Sequence, residues 1–184
     1  MLHSQHQRLS FNLASILYAL TGLYNPVSAI YFQKILSLTI MFLTETAKER
    51  IVKAIKDAEL NTSGEIKVHV EDICPTDDAV ARAKQVFQYL CLDRTAQRNG
   101  VLFYLAYESH KFAILGDMGI DKVVPINFWE GIRDSMRQYF LQEDFAGGLQ
   151  MGIREAGNQL KKFFPYHQDD INEISDDIST DPIP

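Results

Sequence analysis

Ile66, Val68 and Val70 alternate with Lys67 and His69, a period of two that predicts a strand over 65–71 with one apolar face. Its other face is polar and expected to be partly exposed. Before it, Ala47, Ile51, Ile55 and Ala58 recur at helical spacing over 44–60. Thr46 and Glu49 have capping-box spacing at the start of that helix, and Asn61 is placed to close it. Pro75 and Thr76 end the strand region. Thr76 is the candidate N-cap of a second helix, and Asp77 and Asp78 suit its positive end. Val80, Ala83, Val86 or Phe87, and Leu90 form that helix's apolar side.

The run over 101–107 is continuously apolar and aromatic, which predicts a central strand covered on both faces. Glu108, Ser109 and His110 turn the chain tightly into a hairpin partner over 111–115. Two amphipathic helices follow. One spans 127–141 with Phe128, Ile132, Met136 and Phe140 inward; the other starts at Asp144 and carries Phe145, Leu149, Ile153, Ala156, Leu160 and Phe163 or Phe164. Gly147, Gly148, Gly152 and Gly157 lower the stability of that last helix, which predicts close packing against a neighbour.

The first two strands are joined through a helix and should run parallel in a right-handed crossover; the hairpin makes the third antiparallel. The fold class is therefore α/β with a small mixed sheet. Three polar-glycine motifs then fall at one edge: Thr62-Ser63-Gly64-Glu65, Arg98-Asn99-Gly100 and Gly116-Asp117-Met118-Gly119-Ile120-Asp121. Glu65, Asp117 and Asp121 offer carboxylate oxygens and Asn99 an amide oxygen. Gly64, Gly100, Gly116 and Gly119 permit turns and close backbone approach. An all-oxygen set of this kind suits Ca²⁺ or Mg²⁺ rather than zinc, copper or iron. The competing reading assigns the glycines to turns and Asp117 to a loop cap. Arg98 and Ser63 are candidate anion contacts, with a surface ion pair as the ordinary alternative for Arg98.

No catalytic residue is assigned. Ser63 lacks the G-x-S-x-G context of a nucleophile elbow. His69-Val70-Glu71 echoes the H-x-E of zinc deaminases without the P-C-x-x-C that should follow, so a solvent-facing strand histidine is expected.

Length and charge narrow the picture. The chain has 184 residues, enough for one domain plus tails, and a net charge of −6, which excludes a general nucleic-acid binder. Much of that acidity lies in 166–184, where Asp169, Asp170, Glu173, Asp176, Asp177 and Asp181 meet no Lys or Arg; a solvated, partly disordered tail is expected. Cys74 and Cys91 form no C-x-x-C pair, so two reduced thiols and no disulfide-linked partner are expected. The stretch 9–33 carries no charge and has three readings: an export signal, a membrane anchor, or a non-native extension with Met41 as the true start. The third is favoured. It divides the chain into an extension over 1–40, a domain over 41–165 and an acidic tail over 166–184.

The motifs together resemble the TPM domain family. Thr62-Ser63-Gly64-Glu65-Ile66 is similar to its T-G-E-I start, and Arg98-Asn99-Gly100-Val101-Leu102 to its N-G-V-L strand. Gly116-Asp117-Met118-Gly119 matches the glycine-acid turn and Asp144-Phe145-Gly148-Leu149 the late helix, while Lys161-Lys162-Phe163-Phe164-Pro165 resembles the short soluble bacterial branch. The resemblance implies a three-layer α/β/α sandwich, a Ca²⁺ site in some members and weak acid-phosphatase activity in one branch. Many members are exported or membrane-anchored, whereas no C-terminal span follows Pro165. The leading expectation is a cytoplasmic divalent-cation-binding module acting through a protein partner. A weak metal-assisted phosphatase and a membrane-anchored scaffold for an envelope partner are the alternatives.

Overall fold

The structure is a computed structural model that describes residues 44–166, 171–180 and 182–183. The chain divides into two compact units, Met1–Ile40 and Met41–Pro184, and the described residues all belong to the second. The uncharged stretch 9–33 lies outside the described residues. Among the described residues no helix is long and apolar enough to cross a membrane.

The elements in chain order are α1 (Glu45–Glu59), β1 (Ile66–Glu71), α2 (Ala79–Tyr89), a 3₁₀ turn (Leu92–Arg94), β2 (Val101–Ala106) and β3 (Lys111–Gly116). A short α3 (Met118–Asp121), then α4 (Phe128–Phe140) and α5 (Phe145–Phe163), complete them. Two caps differ from expectation. Thr44, not Thr46, caps α1, its extended backbone letting Oγ1 accept from the Ala47 amide at 3.1 Å. Asp78, not Thr76, caps α2 by accepting from the Val80 amide at 2.8 Å, while the Thr76 hydroxyl donates to the Asp78 carbonyl. Val80 consequently sits in the first turn and is exposed rather than buried.

The sheet has the order β1-β2-β3. β1 pairs parallel with β2 from Ile66↔Val101 to Glu71↔Ala106, and β2 pairs antiparallel with β3 from Val101↔Gly116 to Ala106↔Lys111. This is the expected crossover and hairpin. On one face, Ile66, Val68, Val70, Val101, Phe103 and Leu105 pack with Ile51 and Ile55 of α1, Ile132 and Met136 of α4, and Leu149, Ile153 and Leu160 of α5. On the other, Leu102, Tyr104 and Ala106 pack with Ala83, Val86 and Phe87 of α2. The result is an α/β/α sandwich. Close approach explains the helical glycines: a Cβ on Gly152 would lie 2.6 Å from Met136 Sδ and 2.9 Å from Phe103, so only glycine lets α5 settle on both α4 and the sheet.

α2 lies over β2 and β3, and the C-terminal segment pairs with the outer edge of β1 and meets the Glu65 and Lys67 side chains of its second face. The acidic tail is therefore not a solvated appendage where it is described. The Val70 amide donates to the Ser179 carbonyl at 2.9 Å and the Ser179 amide to the Val68 carbonyl at 3.0 Å, a parallel bridge between His69 and Ser179. Composition suggested disorder, but Ile174 and Ile183 pack with the α2 cluster and Ile178 with the opposite core, which offsets the ordering entropy. The polar face of β1 is buried as a result. His69 is 0% exposed and Lys67 6% exposed, so the expectation of a solvent-facing histidine is corrected.

Candidate functional site

The three polar-glycine motifs meet, as the topology requires. Asn99 is fully buried at the entrance to β2; its Nδ2 donates to the Ser63 carbonyl at 2.9 Å and its own amide donates to Thr95 Oγ1. The Asp117 amide donates to the Gly100 carbonyl at 2.9 Å and the Gly119 amide to the Arg98 carbonyl at 2.8 Å. A Cβ on Gly119 would overlap the carbonyl oxygens of Gln97 and Arg98, so the second and third motifs interlock only through glycine. Gly64 and Gly100 serve similar close contacts with Leu160 and the Leu92 carbonyl, and Gly116 with Trp129.

The predicted side chains divide from there. Arg98 grips Asp117 through two parallel bonds, Nε to Oδ2 at 2.6 Å and Nη2 to Oδ1 at 3.0 Å. Asp117 Oδ1 also accepts from the Met118 amide at 2.8 Å, capping α3, a helix too short to be visible in the sequence pattern. Asp121, one turn later, accepts from Trp129 Nε1 at 2.7 Å. Burial raises the Asp121 carboxyl above its ordinary range; the Trp129 bond opposes this and the nearby Asp117 charge adds to it. Ser63 Oγ accepts from Gln97 Nε2 at 2.9 Å.

Glu65 departs from this group. Its carboxylate is buried and accepts from the amides of Glu173 and Ile174 at 3.1 and 3.2 Å, on the tail side of the sheet. Of the oxygen donors expected for a cation, Asp117 and Asp121 lie on the β3–α3 turn, Asn99 turns its amide nitrogen to Ser63, and Glu65 is given to the tail. Among the described residues no group of three or more His, Cys, Asp or Glu side chains is placed to hold a metal ion. Asn99 Oδ1 is buried without a hydrogen-bond partner.

A second polar constellation was missed. Glu65, Lys67, His69 and Glu71 fall on one face of β1 by strand parity, and the structure continues that row into α2. Arg82, 4% exposed, donates from Nε and Nη2 to the Glu71 carboxylate, and Tyr104 donates its hydroxyl to Glu71 Oε2 at 2.8 Å. Burial pushes the Glu71 carboxyl up, but the bonds from Arg82 and Tyr104 and the Arg82 charge outweigh it and hold it below the usual range. Beside Glu65, burial pushes the Glu59 carboxyl up to about 9, against the opposing bond from the Ile66 amide at 2.6 Å. The alternation Lys67, His69, Glu71 carried this signal; a period of two says which face they share but not whether something covers it.

The solution structure of the BA42 protein from the psychrophilic bacterium Bizionia argentinensis superposes with a TM-score of 0.70 at 46% identity, covering 76% of this chain and 96% of that one. The N-terminal domain of the cg2496 protein from Corynebacterium glutamicum matches at 16% identity and a TM-score of 0.45, covering 76% of each chain. No curated protein matches the sequence. The TPM domain model matches residues 40–159, which include all three polar-glycine motifs and most of the Asp144-capped helix. On that match and the BA42 likeness, the chain belongs to the TPM domain family.

Proposed function

We propose that the β3–α3 turn binds a divalent cation, Ca²⁺ or Mg²⁺, through Asp117, Asp121 and Asn99, and presents that edge to a protein partner. The observation that carries the reading is the buried, unpartnered Asn99 Oδ1 in a loop interlocked with the Asp117 turn. Asp117 and Asp121 lie one helical turn apart with Arg98 as the guanidinium that grips Asp117; burial is the main cause that raises the Asp121 carboxyl, and a cation beside it would offset that cost together with the smaller repulsion from Asp117. Two carboxylates imply weak binding, on the order of 10⁻⁴–10⁻³ M. The partner reading is supported by exposed Met118, Val123 and Ile126, which flank the turn with apolar surface. Arg98 and Ser63 are engaged by Asp117 and Gln97, and no observation favours a hydrolytic role over binding.

Titration of the full chain with Ca²⁺ and with Mg²⁺, read by amide NMR, tests this. Saturable shifts centred on Asn99, Asp117 and Asp121 are expected, weakened at least tenfold by Asp121→Asn. Absence of saturable shifts with either ion, or an unchanged response in Asp121→Asn, removes the proposal.

A further inference from the structure

The tail's contacts with β1 share a chemical peculiarity: buried charged side chains of the domain are spent on main-chain groups of the tail. The Glu65 carboxylate accepts from the amides of Glu173 and Ile174. Lys67 Nζ donates to the carbonyls of Ser175 and Asp177, and Arg82 Nη2 donates to the Ile183 carbonyl at 2.9 Å. The β1 backbone itself pairs with Ser179. Glu65, Lys67 and Arg82 are each at least nine-tenths buried, at 3%, 6% and 4% exposure. Desolvating a charge is costly; the tail backbone supplies the bonds described for Lys67 and Glu65, and for Arg82 it adds one to those from Glu71 and Gln85. Groups that read amides and carbonyls recognise an extended chain rather than one particular side-chain sequence.

We propose that the edge of β1 is a docking groove for an extended acidic peptide of a protein partner, and that the tail, described at 171–180 and 182–183, occupies it as a displaceable internal ligand. The seated segment describes the occupant. It runs parallel to β1, places isoleucines at 174, 178 and 183, and carries Asp176 and Asp177, whose charges favour the protonated form of Lys67 that burial alone disfavours. Glu173 adds a carboxylate that accepts from the Ala96 amide at 3.2 Å. A partner segment with acids between aliphatic residues four to five apart would reproduce every one of these contacts. The edge strand is the surface that β-augmentation uses, and the tail conceals it until a competitor arrives. This inference stands apart from the cation reading, since it uses Lys67, Arg82 and the β1 backbone, and either can fail alone.

The test uses the full chain with Ser179→Pro, which removes the amide that bonds Val68, combined with Ile183→Asp, which expels the buried anchor. Hydrogen exchange at Glu173 and Ile174 should accelerate at least tenfold in this variant while the β2 amides stay protected. A fluorescent peptide with the sequence of 171–183 should bind the variant at least 30-fold tighter than wild type, because the tethered tail competes at about millimolar effective concentration. Adding Lys67→Met should abolish that binding without altering the far-UV spectrum. A peptide carrying Asp176→Lys and Asp177→Lys should bind at least tenfold more weakly. Four results would each overturn the proposal: persistent protection of the tail amides in the variant, no peptide binding once they are released, equal binding of the charge-reversed peptide, or tail exchange into a dimer, which would make the occupant a second copy.

Discussion

The two faces of β1 are built from the same six residues and are stabilised by different physics. Ile66, Val68 and Val70 point into a core shared by α1, α4 and α5, where burial alone suffices and any well-shaped aliphatic would serve. Lys67, His69 and Glu71 point into a layer of hydrogen bonds supplied by α2 and the tail, where each buried group needs a particular partner in a particular place. The first face resists change in proportion to volume. The second resists according to which partner is orphaned, and so it can be opened one contact at a time.

Substitutions should separate these behaviours. The largest effect belongs to the apolar face: Phe103→Ala, at 1% exposure against Gly152 and the α5 core, should destabilise by about 3–5 kcal/mol in urea unfolding, with every amide exchanging faster together. A loss confined to neighbouring amides would mean the face is not one cooperative core. Arg82→Ala should cost about 3 kcal/mol, because it leaves Glu71 charged and buried beside Tyr104. Adding Glu71→Gln should recover more than half of that, since the amide still accepts from Tyr104 without carrying a charge. If the second change deepens the loss instead, the pair's mutual attraction outweighs its desolvation. Gly119→Ala should cost about 2 kcal/mol by forcing the turn off the Gln97 and Arg98 carbonyls, and should perturb the Asp117 amide before any other.

The same division decides what could be read from the sequence. The alternation in β1, the solid apolar run of β2 and the helical spacing in α1, α4 and α5 each bury an apolar stripe, so pattern alone yielded element order, topology and the meeting of the three turns. The site was only half visible. Topology placed Asn99 and Asp117 together, but the direction of Glu65 is set by amides more than a hundred positions away, in a segment whose acidic composition masked its four isoleucines. Likewise α3 is a single turn created by the Asp117 cap, and no periodicity can announce an element that short.

The smallest effect to seek is also the one that links the two faces, and it lies at Glu59. This carboxyl sits at the end of α1, accepts from the Ile66 amide, and is close to Glu65, Asp176 and Lys67. Its pKa is raised from an ordinary 4.5 to about 9, with burial as the first cause and the charges of Glu65 and Asp176 adding to it. A carboxyl that is harder to ionise in the folded state makes its full contribution below the unfolded value and loses it as pH rises toward the folded one. Between those limits the unfolded chain releases the proton and the folded chain keeps it, so stability should fall with rising pH. The drop should be on the order of 1 kcal/mol between about pH 5 and about pH 8, smaller than the whole shift implies because Glu59 is half-buried and water screens it. Ionisation there also sets three carboxylates against one another where the tail lands, so the amides of Glu173 and Ile174 should lose protection beyond the intrinsic base catalysis of exchange. Glu59→Gln should flatten both trends at once. A urea midpoint that still falls with pH in that variant would assign the dependence to some other group and leave the tail's seat indifferent to the proton on Glu59.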